Sequence, residues 1–188
     1  MGGLWEAGIK SCKFHLKRIV SQSLLTFEEL VTVLTQIEAC LNSRPICQLP
    51  STPTDLLPLT PGHFLIGEAL TTLPELDLSD VPINRLDRWQ FVQKLTQDFW
   101  RRWNREYLTL LQSKTKWKFD KTNLSLDDVV LIQDNNMPPL KWKLGKVIKT
   151  HVHTDGKVRV VTLKTANGIS KRAINKLCKL PTTDSLTE

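Results

Sequence analysis

The stretch RLDRWQFVQKLTQDFWRRWNREYLTLL, residues 85–111, decides how the rest of the chain is arranged. Leu86, Trp89, Val92, Leu95, Phe99, Trp103, Tyr107, Leu110 and Leu111 recur at spacings of three and four, which marks one face of a long helix. Arg85, Arg88, Lys94, Arg101, Arg102 and Arg105 fall mostly elsewhere. The rings read as a stripe packed against neighbouring elements. Arg101, Arg102 and Arg105 are the side chains of this helix suited to phosphate.

Upstream the pattern is also helical. Leu4, Gly8, Ile9, Cys12, Leu16, Ile19 and Val20 share one side of a helix over 4–20. Thr26 and Glu29 form a T-x-x-E capping box, followed by Phe27, Leu30, Val31, Leu34, Ile37 and Leu41 at helical spacing. That second helix stops at Asn42-Ser43-Arg44-Pro45, because proline cannot continue it. From Pro45 to Pro82 lie seven of the ten prolines, with short apolar pieces between them, which predicts an extended but ordered connector.

Downstream the period changes to two. Val129-Val130-Leu131-Ile132 reads as a strand, Trp142 to His153 as a second and Val158 to Thr165 as a third, with a bulge hinted between Val160 and Val161. Asp155-Gly156 and Asn167-Gly168 are hairpin turn pairs. Ala173 to Cys178 reads as a helical turn or closing strand. The predicted class is α+β: a helical pair over 1–45, a connector over 46–84, the long helix and its turn over 85–122, a small antiparallel SH3-like or OB-like barrel over 123–181, and a tail over 182–188.

The net charge is +7, with a pI near 9.3. Acids outnumber bases up to Asn84, and nearly all the excess Lys and Arg follows, which points to a polyanionic partner such as nucleic acid. Cys12, Cys40, Cys47 and Cys178 form no C-x-x-C pair and, with His15, His63, His151 and His153, no zinc pattern, so they read as reduced thiols of an intracellular protein. No run of about 18 apolar residues suggests a membrane span. Lys10, Lys13 and Lys17 interrupt the start in a way no secretory signal does.

On the first helix Glu6, Lys10, Lys13 and Lys17 fall within a sector of about 60°. By spacing alone this is a solvated ridge, with Glu6 near the positive helix end and paired to Lys10.

Several motifs in order carry a resemblance. Gly2-Gly3-Leu4-Trp5-Glu6-Ala7, Leu41-Asn42-Ser43-Arg44-Pro45 and Leu59-Thr60-Pro61-Gly62-His63-Phe64-Leu65-Ile66-Gly67 resemble stretches of integrases from BEL/Pao-type LTR retrotransposons. Arg88 to Gln93, Phe99 to Leu108, Trp142 to Val147, Asp155 to Val160 and Asn175 to Leu177 match the same integrases further on.

The resemblance implies that the first two helices close an RNase H-like core, with Glu6 as the third acid of an Asp-Asp-Glu triad and hence a metal ligand. Such a triad holds two Mg²⁺ ions, one activating the attacking oxygen and one steadying the leaving oxygen. Only this last acid is in the sequence. The expectation is therefore a truncated integrase that is no enzyme as it stands, has no cofactor of its own and keeps DNA binding. Lys10, Lys13 and Lys17 are implied phosphate contacts, since the helix bearing the third acid lies along DNA in retroviral-type integrases.

The barrel residues Lys141, Lys143, Lys146, Lys149, Lys157, Arg159, Lys164, Lys171 and Arg172 are the larger candidate set for a face that binds DNA without reading bases. Where the family usually has a Gly-Asp turn before the first barrel strand, this chain has Asp127-Asp128. His151 and His153 alternate along a strand, which places them as exposed residues before a metal pair.

DNA as partner implies a nuclear location, with the cytoplasm as the other compartment and no membrane. Chromatin and further integrase copies are the other partners the resemblance suggests. Two readings stand beside this one: a host-domesticated module that binds chromatin or protein, and a gene-model relic without function.

Overall fold

The computed structural model describes residues 3–20, 23–49, 57–112, 124–134, 137–153 and 158–181. The α+β class holds. Helices α1 (Gly3–Val20) and α2 (Phe27–Asn42) both pack on the long helix α4 (Arg88–Leu111), as the aromatic stripe requires. The Thr26 capping box forms: Glu29 N donates to Thr26 Oγ1 at 3.3 Å, and Thr26 N donates to Glu29 Oε2 at 2.9 Å. α4 starts on a second capping box that the periodicity does not announce, with Gln90 N donating to Asp87 Oδ1 at 2.7 Å.

The helical core joins Val33, Ile37 and Cys40 of α2 to Phe91, Val92, Leu95, Phe99, Trp100 and Trp103 of α4, and Cys12, Leu16 and Ile19 of α1 close over it. Two of the expected faces are rotated. On α2, Phe27, Leu30, Val31 and Leu34 are exposed, because that helix is apolar around most of its circumference and α4 covers only one side. On α1, Ile9 is exposed and His15 is buried, its Nε2 against the Glu106 carboxylate and its ring edge-on to Phe99.

The connector is ordered where described. Strand β1 (Cys47–Gln48) pairs antiparallel with β2 (Pro58–Leu59), helix α3 (Pro61–Ile66) follows, and a 3-10 turn over Ile83–Arg85 leads into α4. Two α4 side chains pin it. Lys94 Nζ donates to the carbonyls of Leu78 at 2.9 Å and Ser79 at 2.6 Å, while Gln97 accepts from Leu78 N at 2.9 Å and donates to Leu76 O at 2.7 Å. Lys94 is buried, a lysine spent on backbone carbonyls that would otherwise be desolvated without partners.

Strands β3 (Val129–Ile132), β4 (Leu144–Val152), β5 (Val158–Thr165), β6 (Gly168–Ala173) and β7 (Leu177–Lys179) form one antiparallel sheet in the order β6-β5-β4-β3-β7. All four residues of β3 are buried because the strand is covered on both faces. Val130 and Ile132 join Val147, Val161 and Leu163 in a core inside the sheet's curve; Val129 and Leu131 meet Leu108 and Leu111 at the end of α4. A Cβ at Gly145 would sit 3.2 Å from Ile132 Cδ1 and 3.3 Å from Leu163 Cβ, so any side chain there has to push these core neighbours aside.

The expected closed barrel is an open sheet among the described residues: no ladder joins β6 to β7. The physical reason lies at β7, where one outward carbonyl takes a side chain from the end of α4 and further contacts hold the residues around the strand. Gln112 Nε2 donates to Leu177 O at 3.4 Å, Cys178 Sγ donates to Leu108 O at 3.3 Å, and Gln48 N donates to Pro181 O at 3.2 Å. The β4–β5 ladder shifts register twice, between Val147 and Lys149 and between His151 and Val152; the second bulge lies just before the phase change expected between Val160 and Val161. The Asp155-Gly156 turn, Lys157 and the tail lie outside the described residues.

The joint between helices and sheet is Trp142. Its ring meets Trp100, Trp103 and Tyr107 edge-on, at centroid distances of 4.9, 5.9 and 5.6 Å, and its Nε1 donates to Ser43 Oγ at 3.2 Å. Two residues before it, Leu140 adopts a left-handed φ of 65° that leucine rarely tolerates. Trp100 Nε1 in turn holds the Met137 carbonyl at 3.0 Å. Burial pushes the Tyr107 hydroxyl up to about 12, and that hydroxyl donates to Pro45 O. Replacing Trp142 by Ala is expected to cost about 3–5 kcal/mol in urea unfolding, the range for deleting a large packed ring. A loss below about 1 kcal/mol would contradict its role as the joint.

A candidate nucleic-acid interface

Between residues 135 and 181 the sequence carries eleven Lys and Arg against a single acid, Asp155. This exceeds the excess of the whole chain, so the sheet is its electropositive part.

Strand register sorts these charges. In an antiparallel ladder, paired residues project to the same face. Lys146 is paired with Lys164 and Lys149 with Thr162, which is paired in turn with Lys171. Lys146 also pairs with Val129 of β3, on the face that meets the end of α4. Lys146, Lys149, Lys164 and Lys171 therefore lie in two adjacent rows on that face, beyond the part the helix covers. Like charges directly opposite destabilise a sheet, and here only Lys146 of the opposed pair Lys146–Lys164 has an acid beside it, Asp127 at 2.8 Å.

In the next row beyond Lys149, His151 Nε2 lies 2.9 Å from Thr162 Oγ1, which engages that imidazole within the sheet. Among the described residues no group of three His, Cys, Asp or Glu side chains is placed to hold a metal.

The other expected residues are more scattered. Lys10, Lys13, Lys17 and Glu6 are exposed along α1, and Arg102 and Arg105 are exposed on α4. Arg101 is half-buried and lines a cleft of about 500 Å³ between the connector, α4 and the loop at Pro138. There it faces Asp77, whose carboxyl is held below its ordinary range by two hydrogen bonds from Ser79, with the positive charges of Arg101 and Lys94 adding to the effect. Lys143 is bound to Asp134 at 2.9 Å and Lys146 to Asp127 at 2.8 Å. Lys141, Lys149, Arg159, Lys164 and Lys171 are exposed, whereas Arg172 is half-buried on the opposite face. Lys157 lies outside the described residues. The signal that groups the four sheet lysines is register, which composition does not contain.

Asp127 sits where the resemblance implies glycine, and it adopts φ 67°, the left-handed region that glycine favours and aspartate tolerates. Its amide donates to Val147 O at 2.9 Å, so the turn is locked to β4.

Residues 87–180, half of the chain, match a family described as a family of unknown function (DUF5641). The chain belongs to this family. The matched span opens at Asp87, the N-cap of α4, and closes at Leu180, whose amide donates to Val129 O at 3.0 Å. The family's unit is thus the long helix together with the sheet it carries. No curated protein and no solved structure matches the chain. Among the described residues no helix is long and apolar enough to cross a membrane.

Asp127→Gly is expected to leave stability unchanged or raise it by up to about 1 kcal/mol, since relief of the backbone offsets a partly exposed ion pair. Asp127→Val is expected to cost about 1–2 kcal/mol by thermal denaturation, because a β-branched side chain is strained there. Equal effects would contradict the left-handed turn.

Proposed function

We propose that this chain binds duplex DNA through its phosphates, using the lysine rows of β4, β5 and β6. The supporting observation is the opposed pair Lys146–Lys164 beside Lys149 and Lys171, on strands that carry no carboxylate among their described residues. Ammonium groups on a sheet face neutralise phosphates and carry no base code, so binding is sequence-tolerant and falls with salt. The exposed ridge of Lys10, Lys13 and Lys17 supplies a second, weaker contact.

On the resemblance to BEL/Pao-type integrases, we read this activity as part of DNA integration, in the nucleus. The strand order, with a 3-10 turn over Ile174–Lys176 before a last strand that returns to β3, supports an SH3-like reading of the sheet. Strand transfer itself is not assigned to this chain. Glu6 is the only residue in it that matches the triad, and one carboxylate does not hold two Mg²⁺ ions.

Fluorescence anisotropy on a labelled duplex across a salt series tests the proposal. Changing Lys146, Lys149, Lys164 and Lys171 together to Gln is expected to flatten the slope of log K against log salt by about 3–4, at about 0.9 per phosphate contact. The same change at Lys10, Lys13 and Lys17 should flatten it less. Absence of binding at low salt, or an unchanged slope in the sheet variant, would sink the proposal.

A further inference from the structure

The two edges of the sheet differ. β7 is covered by the end of α4 and by the connector, whereas β6 has no backbone partner on its outer side among the described residues. Register fixes which groups face outward. Thr165 and Gly168 close the hairpin as a pair, and Thr165 Oγ1 also donates to Gly168 O at 2.8 Å, so the backbone groups of Gly168 point at β5. Alternation then turns Ser170 and Arg172 inward as well, and directs the N–H and C=O of Ile169, Lys171 and Ala173 outward. The Lys171 carbonyl fits this assignment, since it receives Arg172 Nη1 at 2.9 Å on the free side.

An edge of six residues with outward donors and acceptors is a template for one more strand. Its side chains say which strand. A residue added opposite Lys171 would extend the row Lys149–Thr162–Lys171, and one opposite Ile169 would extend the row Lys146–Lys164–Ile169. The first position faces lysine charge; the second faces an isoleucine that is 71% exposed.

From this we infer that β6 is a docking edge for an extended acidic peptide of a partner protein. The peptide places a carboxylate opposite Lys171 and an apolar side chain two residues away on the same face. Pairing of β6 with a second copy is disfavoured, because an antiparallel pair centred there sets Lys171 against Lys171. Binding requires the Arg172 guanidinium to leave the Lys171 carbonyl, which releases a further positive charge beside the incoming strand. The inference shares Lys171 with the DNA-binding reading and differs from it in using the outward backbone groups of the edge, which DNA on the face of the sheet would leave unprotected.

The probe is the fluorescein-labelled, end-capped peptide TITETV, whose Ile, Glu and Val fall on one face and suit either strand direction. Anisotropy is expected to show binding that weakens about tenfold when the peptide's Glu is changed to Lys. Lys171→Glu should invert that preference, and Lys171→Pro should abolish binding of both peptides by removing the outward N–H. Proline at that position leaves the β5 ladder intact, since the lost donor faces solvent. Hydrogen exchange supplies the second readout: the amides of Ile169, Lys171 and Ala173 should become protected on binding, with those of Ser170 and Arg172 protected throughout. Three outcomes would overturn the inference: no binding at millimolar peptide, binding indifferent to the charge swap, or outward amides already protected in a dimer of the free chain.

Discussion

Trp142 is the residue on which the arrangement of the whole chain depends. It leaves the loop before β4 and enters a recess built by Trp100, Trp103 and Tyr107 on successive turns of α4. A strained backbone at Leu140 and the single hydrogen bond to Ser43, at the end of α2, are the conditions for that fit. A residue held at positive φ persists only where surrounding packing over-determines it, and three aromatic neighbours do so here. One side chain thereby contacts α4 through its ring and α2 through its nitrogen, and carries β4 with it.

The electrostatics follow from this docking. Once Trp142 and the pair Val129–Leu131 fix the sheet on the end of α4, one part of its outer face is covered and the rest is open. The open part is where the lysines of β4, β5 and β6 fall. Acids that could neutralise them are placed at the margin: Asp127 and Asp134 hold Lys146 and Lys143, and Asp128 holds Lys179 at 2.8 Å. Strands whose cross-pairs oppose like charge depart from local optimisation, and such departures gather at functional surfaces.

Much of the fold was legible because its elements carry strong local signals. The Thr26–Glu29 box, the period of α4 and the Val129–Ile132 run each specify an element without tertiary help. What periodicity could not specify was the partner of each face. α2 is apolar on two sides, so Val33 and Cys40 are buried while Phe27 and Leu34 are exposed. Lys94 reads as one more base in a basic helix, yet its ammonium is spent on the carbonyls of Leu78 and Ser79. Trp142 reads as the start of a strand, since nothing local tells a tryptophan that ends in a recess from one that opens a ladder. For the candidate site, residue type was legible and grouping was not. Lys143 and Lys149 look alike in sequence, but register and a neighbouring Asp134 separate a paired lysine from an open one.

The central claim is that α4 and Trp142 make helices and sheet a single cooperative unit. Native-state hydrogen exchange in increasing urea tests it most directly, following Val33 and Ile37 in α2, Phe99 in α4, and Val130 and Val161 in the sheet. The account predicts that these amides converge on one opening free energy. Two separate isotherms, with the sheet keeping its protection after the helices have lost theirs, would contradict it.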